Sequence, residues 1–172
     1  MGSQPLTVLA RARWPESDDD RLPPLAGFTA SSFNPLVAEA AERCLRARYG
    51  PPPGPGPTRT ALLLASCSGD RATAAAIDAA AASQRRVPPL LFFQSNPNAV
   101  LGHIAARWEL TGPVVATSPT TPPGPDGVPA DALELAALLL ADGDADQVLV
   151  IAAEQALPGD SDHAVALLLT PS

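Results

Sequence analysis

Three short, unbroken apolar runs limit what this chain can fold into. They are Thr60–Cys67 (TALLLASC), Gln147–Ala153 (QVLVIAA) and His163–Leu169 (HAVALLL), each bounded by proline, glycine or charge. A run this short and apolar at every position has no solvated face, so it reads as a strand buried on both sides. Leu6–Ala12 and Val114–Thr117 add two weaker strand candidates. Between these runs the spacing turns helical. Asn34 is placed to cap a helix and Pro35 to open its first turn. Leu36, Val37, Ala40, Ala41, Cys44 and Leu45 then share a face, and Gly50 ends it. Asp70–Ser83 is alanine-rich and helical by propensity. Asn96-Pro97 repeats the helix start, Val100, Ile104 and Trp108 follow on one face, and Thr111-Gly112-Pro113 stops it. Asp131–Ala141 is a helix apolar nearly all round, expected to be buried on most sides. Leu90–Phe93 is a further apolar run with no element assigned to it. Strands alternating with helices predict an α/β sheet with helices on both faces. Residues 50–58 and 119–130 are Pro/Gly-rich and read as loops.

Composition narrows function. At 172 residues the chain suits a single domain. All 11 basic residues are arginine and the net charge is -7. Such a chain is a poor partner for nucleic acid or an anionic membrane, which need clustered positive charge. No run reaches the roughly 18–20 apolar residues of a membrane span, and no signal peptide is apparent. The two cysteines form no CxxC pair, so they read as reduced thiols of a cytoplasmic protein.

Chemical motifs are sparse. Ser68-Gly69-Asp70 lacks the lysine and spacing of a phosphate loop, and there is no GxSxG elbow. His103 and His163 have no ligand at zinc spacing, so neither a metal nor another cofactor is expected. Asp18-Asp19-Asp20 reads as a solvated charge run. Cys67 closes a strand before a helix start, where open α/β sheets place their sites and where a thiol can be activated. No base partner is visible, and a small buried residue is the alternative reading. Cys44 lies on an apolar helix face and reads as core. Glu154-Gln155 follows another strand; Glu154 is either a catalytic carboxylate or a bond to a neighbouring loop.

Two stretches carry a resemblance: residues 89–119, with Glu109-Leu110-Thr111-Gly112-Pro113, and residues 132–156, with Gly143-Asp144-Ala145-Asp146-Gln147-Val148-Leu149-Val150 and Glu154. Together they resemble the N-terminal half of β-ketoacyl synthases, condensing enzymes of the thiolase fold. They are most similar to the ketosynthase-like and chain-length-factor-like subunits of bacterial polyketide pathways. Asn34–Arg48 and Thr60–Gly69 extend the likeness more weakly. The resemblance implies an α/β, thiolase-like fold truncated to one half, a mixed sheet flanked by helices, with residues 1–172 as a single half-domain. It sets the nucleophile turn at Thr117, Ser118, Thr120 and Thr121, where no cysteine stands and no base is visible to activate a hydroxyl. The histidines of the family's second half have no counterpart before Ser172, so condensation is not expected. The implied role is a non-catalytic subunit that pairs with a ketosynthase or with itself. It would assist a carrier-protein-bound acyl chain and present a dimer face at Leu133, Leu135, Ala136 and Leu139. The alternative is a re-purposed enzyme on an acyl thioester (isomerase, dehydratase, cyclase or hydrolase) using Cys67, His103 or Glu154. A generic α/β binding protein is the third reading.

Overall fold

The computed structural model describes residues 5–157 and 159–172. One five-stranded mixed sheet organises them. Its strands are β1 (Leu6–Trp14), β2 (Thr60–Ala65), β3 (Val114–Thr117), β4 (Gln147–Glu154) and β5 (His163–Pro171), in the order β1-β5-β4-β2-β3. β3, β2 and β4 run parallel, whereas β4–β5 and β5–β1 are antiparallel. The three continuous apolar runs occupy the centre, and every residue of β2 is buried. β1 and β3 form the edges.

Five helices flank the sheet: α1 (Phe33–Tyr49), α2 (Arg71–Ala82), α3 (Pro89–Ser95), α4 (Pro97–Trp108) and α5 (Ala130–Ala141). The alternation of side chains along each strand splits the core in two. Leu62, Leu64, Leu149, Ile151 and Leu168 face α1 and α4, where Leu36, Leu45, Val100 and Trp108 are buried. Leu63, Val148, Val150, Leu167 and Leu169 face α5 through Ala132, Ala136 and Leu139. The mixed α/β sheet with helices on both faces is therefore present.

Local differences from the sequence reading have physical causes. α4 opens as expected, with the Asn96 side chain accepting from the Asn98 N–H at 3.0 Å. Asn34, in contrast, does not cap α1. It lies one residue inside the helix, buried, and donates from Nδ2 to the Gln94 carbonyl at 2.8 Å. β2 stops at Ala65 and not at Cys67: the Ser66 N–H still reaches the Thr117 carbonyl at 3.1 Å, but the Cys67 and Ser68 amides turn to a side chain described below. Leu90–Phe93 is helical, within α3.

α5 is less enclosed than its composition suggests. Leu138 is 58% exposed, whereas Ala136 and Leu139 are buried against the chain's own sheet. Those two are not free to meet a second chain; Leu133 and Leu135 are partly buried against the same core. Among the described residues, no helix is long and apolar enough to cross a membrane.

Candidate functional site

Because β2, β3 and β4 are parallel, their C-terminal ends share one edge of the sheet, and the turns that follow them converge. A cavity of about 400 Å³ opens there. Its walls include Ser66, Cys67 and Asp70 after β2, Thr117 and Ser118 at the end of β3, and Pro97 at the start of α4. Asp70 caps α2, accepting from the Thr73 N–H at 3.0 Å, and also accepts from the Ser31 hydroxyl at 2.6 Å.

Glu154, at the end of β4, shapes the turn that carries Cys67. Its two oxygens accept the backbone N–H groups of Cys67 and Ser68, both at 2.7 Å. Short bonds to an ionised acceptor are the strong kind. Gln155 works beside it. Its N–H donates to the Ser68 hydroxyl at 2.8 Å, and its Oε1 accepts from the Ala72 N–H at 3.0 Å. Of the two roles left open for Glu154, the geometry is that of the loop-binding carboxylate. Cys67 itself is exposed, with Sγ 3.5 Å from the Pro119 carbonyl. Cys44 is the opposite case: buried among apolar groups, its thiol is pushed up to about 12.

The turn after β3 is held from α5. Asp131 accepts the Thr120 N–H at 2.6 Å, the Thr120 hydroxyl at 3.1 Å and the Thr121 hydroxyl at 2.8 Å. The Ser118 hydroxyl donates to the Ser66 carbonyl at 3.3 Å. These hydroxyls are thus engaged with acceptors that hold the loop, and none donates to a histidine. The Thr120 amide and the Thr121 hydroxyl lower the Asp131 carboxyl to about 2. Its folded-state value lies below that of an unfolded aspartate, about 4. The stabilisation is therefore complete above about pH 4 and is lost as the pH falls through 2. Asp131→Asn is expected to melt a few degrees lower than the parent at pH 7, and the gap should close near pH 2. Equal melting temperatures at neutral pH would contradict the latch.

The structure brings Cys67, Thr117 and Ser118 to one cavity, with Glu154 behind it. His103 is elsewhere: it lines a separate groove of about 320 Å³ beside Arg107 and Trp108, its ring edge-on to Phe28 with centroids 6.0 Å apart. His163 is exposed at the start of β5, paired in register with Glu154. Among the described residues no group of three His, Cys, Asp or Glu side chains is placed to hold a metal. Sequence reasoning missed the part that Asp131, Asn34 and Gln94 play in holding the loops and helices around the site. Only the first had a usable signal, an acid in the first turn of a helix.

Comparison with known proteins places this geometry in a fold family. The chain has the mixed-sheet, thiolase-like fold of ketosynthases. It is similar to a ketosynthase in complex with its chain length factor from Xenorhabdus doucetiae, at a TM-score of 0.63 and 22% identity over 92% of this chain and 68% of the matched one. A β-ketoacyl synthase from Burkholderia phymatum matches at 0.63 and 16% identity, over 90% of this chain and 47% of its own. A type II acyl-carrier protein in complex with its hexaketide-bound ketosynthase matches at 0.55 and 16%, over 82% and 47%. The chain thus spans about half the length of the last two. No protein-family model matches it, and no curated protein does.

Proposed function

We propose that this protein is a non-catalytic ketosynthase-like subunit of a polyketide or fatty-acid-type pathway. It pairs with a ketosynthase, or with a second copy of itself, and helps to handle an acyl chain carried on a carrier protein. One observation carries the reading. Where the resemblance sets the nucleophile turn, the hydroxyls of Ser118, Thr120 and Thr121 are spent on the Ser66 carbonyl and the Asp131 carboxylate. A hydroxyl needs an adjacent base to become a nucleophile, and neither acceptor is a poised base: Asp131 stays ionised far below neutral pH. The fold supports the ketosynthase context, and the neighbours' own assemblies with a chain length factor or a carrier protein support the kind of partner. Among the described residues β1 and β3 each keep one edge unpaired, and either is available for pairing with another chain.

Cys67, exposed on the cavity wall, favours a second reading: an enzyme acting on an acyl thioester through its thiol. The two separate on one experiment. Cys67→Ala and His103→Ala are introduced into a producing strain, and product is measured alongside co-purification of the ketosynthase. Unchanged product with retained co-purification is the expected result. A loss of product by more than about tenfold in Cys67→Ala, with the protein still folded and still co-purifying, would establish the enzyme reading.

A further inference from the structure

The cavity at the ends of β2, β3 and β4 has the position of an anion site but not the chemistry of one. A turn that leaves a strand and opens a helix ordinarily offers free N–H groups to a phosphate or carboxylate. Here those donors are occupied from within. The Cys67 and Ser68 amides go to Glu154, Gly69 to the Ser66 hydroxyl at 2.9 Å, and Arg71 to the Gly69 carbonyl at 3.2 Å. In the first turn of α2, the Ala72 amide is bound by Gln155 and the Thr73 amide by Asp70. No arginine or histidine lines the cavity. What remains there accepts. Asn34 lines the cavity and is only 3% exposed. Its Nδ2 is used by the Gln94 carbonyl, and Oδ1, which accepts no hydrogen bond among the described residues, is left to the cavity. Asp70 gives Oδ1 to Ser31 and Thr73, while its Oδ2 is buried without a partner. Neither Asp70 nor Glu154 forms an ion pair among the described residues.

We infer that this cavity binds a primary ammonium group on a short apolar body, with the charge beside Asp70 and an N–H donated to Asn34 Oδ1. Charge decides the ligand. The N-terminus of α2 supplies about half a positive charge, which leaves the carboxylates of Asp70 and Glu154 in excess. An anion entering here meets those carboxylates and finds the turn's donors already spent, so nothing offsets the loss of its hydration. A neutral hydroxyl can donate to Asn34 but gains nothing from the unpaired charge. The apolar body has its own contacts, because Phe33 and Leu64 form part of the wall and both belong to the core beneath it. The amine can belong to a free molecule or to the end of an acyl chain, and the chemistry that recognises it is the same. The inference does not rest on the pathway role proposed above.

Cys67 supplies the readout. It is exposed on the same wall and Cys44 is fully buried, so a ligand in the cavity shields Cys67 from a neutral, thiol-specific methanethiosulfonate. Three probes share one aromatic body: phenethylamine, phenethyl alcohol and phenylpropionate. On the full chain the amine should reach half-protection at a concentration at least tenfold below the alcohol, and the carboxylate should not protect. Asp70→Asn keeps a side chain that caps helices. It should cost the amine at least tenfold and leave the alcohol within twofold, with circular dichroism establishing that the variant remains folded. No protection by the amine, equal protection by amine and alcohol, or protection by phenylpropionate overturns the inference on the parent chain alone. Indifference of the amine to Asp70→Asn overturns it as well. A second arm separates the two sources of amine, with the β-alanyl thioester of N-acetylcysteamine set against the propionyl thioester. Protection by the β-alanyl form alone assigns the ammonium to an acyl chain. If phenethylamine protects and neither thioester does, the site stands and its ligand is a free amine. Equal protection by the two thioesters means that the ammonium is not read, and the inference falls.

Discussion

Gly112→Ala is expected to be among the most damaging single substitutions in the chain. A Cβ at this position would stand 2.5 Å from the Thr60 carbonyl carbon and 2.6 Å from both the Ala61 nitrogen and the Thr60 oxygen. All three are backbone atoms, so no side chain can swing aside. The contact arises because residues 111–113 extend β3 alongside the start of β2: the Thr111 N–H reaches the Thr58 carbonyl at 2.8 Å, and the Leu62 N–H reaches Pro113 at 2.9 Å. β2 is buried throughout and hydrogen-bonded on both sides, and relieving the clash means shifting it within a close-packed core. Overpacking of this kind costs about 3 kcal/mol or more, or roughly 6–12 °C of melting temperature for a chain of this size. Gly102→Ala is the control. Gly102 lies within α4 with nothing within 4 Å of its would-be Cβ. Alanine there should stabilise by about 0.5–1 kcal/mol. If the two variants melt within 2 °C of each other, the backbone contact is not what selects glycine at position 112.

The same glycine shows how far the sequence could be read. Gly112-Pro113 is legible as a helix stop and as part of a family-like signature, but the reason for the glycine is a contact with Thr60, far away in the chain. Local signals carried the elements well. β2, β4 and β5 follow from unbroken apolar runs, and α4 from Asn96-Pro97 and the Val100, Ile104 and Trp108 face. They failed where a distant group overrode local preference. Asn34 has the chemistry of a cap, yet its amide is used by Gln94 across the fold. The strand order β1-β5-β4-β2-β3 is non-local and has no signature in any one segment. α5 reads as apolar all round because its leucines are counted alike, and only the packing separates Leu139, on the sheet, from the exposed Leu138. At the site, Cys67 and Glu154 could be named from their positions after strands, but not their connection through two backbone amides.

Glu154→Ala should release that connection, with an effect on stability and a separate effect on the thiol. The carboxylate accepts two N–H groups at 2.7 Å, and bonds to a charged acceptor contribute about 1.5–3 kcal/mol each. Water can reach the Cys67 amide once the carboxylate is gone, because that residue is exposed. The lower end of the range applies, and the expected loss is about 2–3 kcal/mol in denaturant unfolding. Glu154→Gln should recover little. Its single acceptor oxygen can serve one amide, and its NH₂ group would face the other donor. The thiol supplies a readout independent of global stability. Cys44 is fully buried, so modification by a thiol reagent under native conditions reports on Cys67 alone. Freed from Glu154, the Cys67–Ser68 turn should open more often, and the Cys67 reaction rate should rise several-fold. An unchanged rate together with unchanged unfolding would mean that the two bonds do not hold the turn. A variant that reacts faster at Cys67 but keeps full product in the producing strain would assign Glu154 to positioning the turn. It would also separate the thiol's exposure from the proposed pathway role.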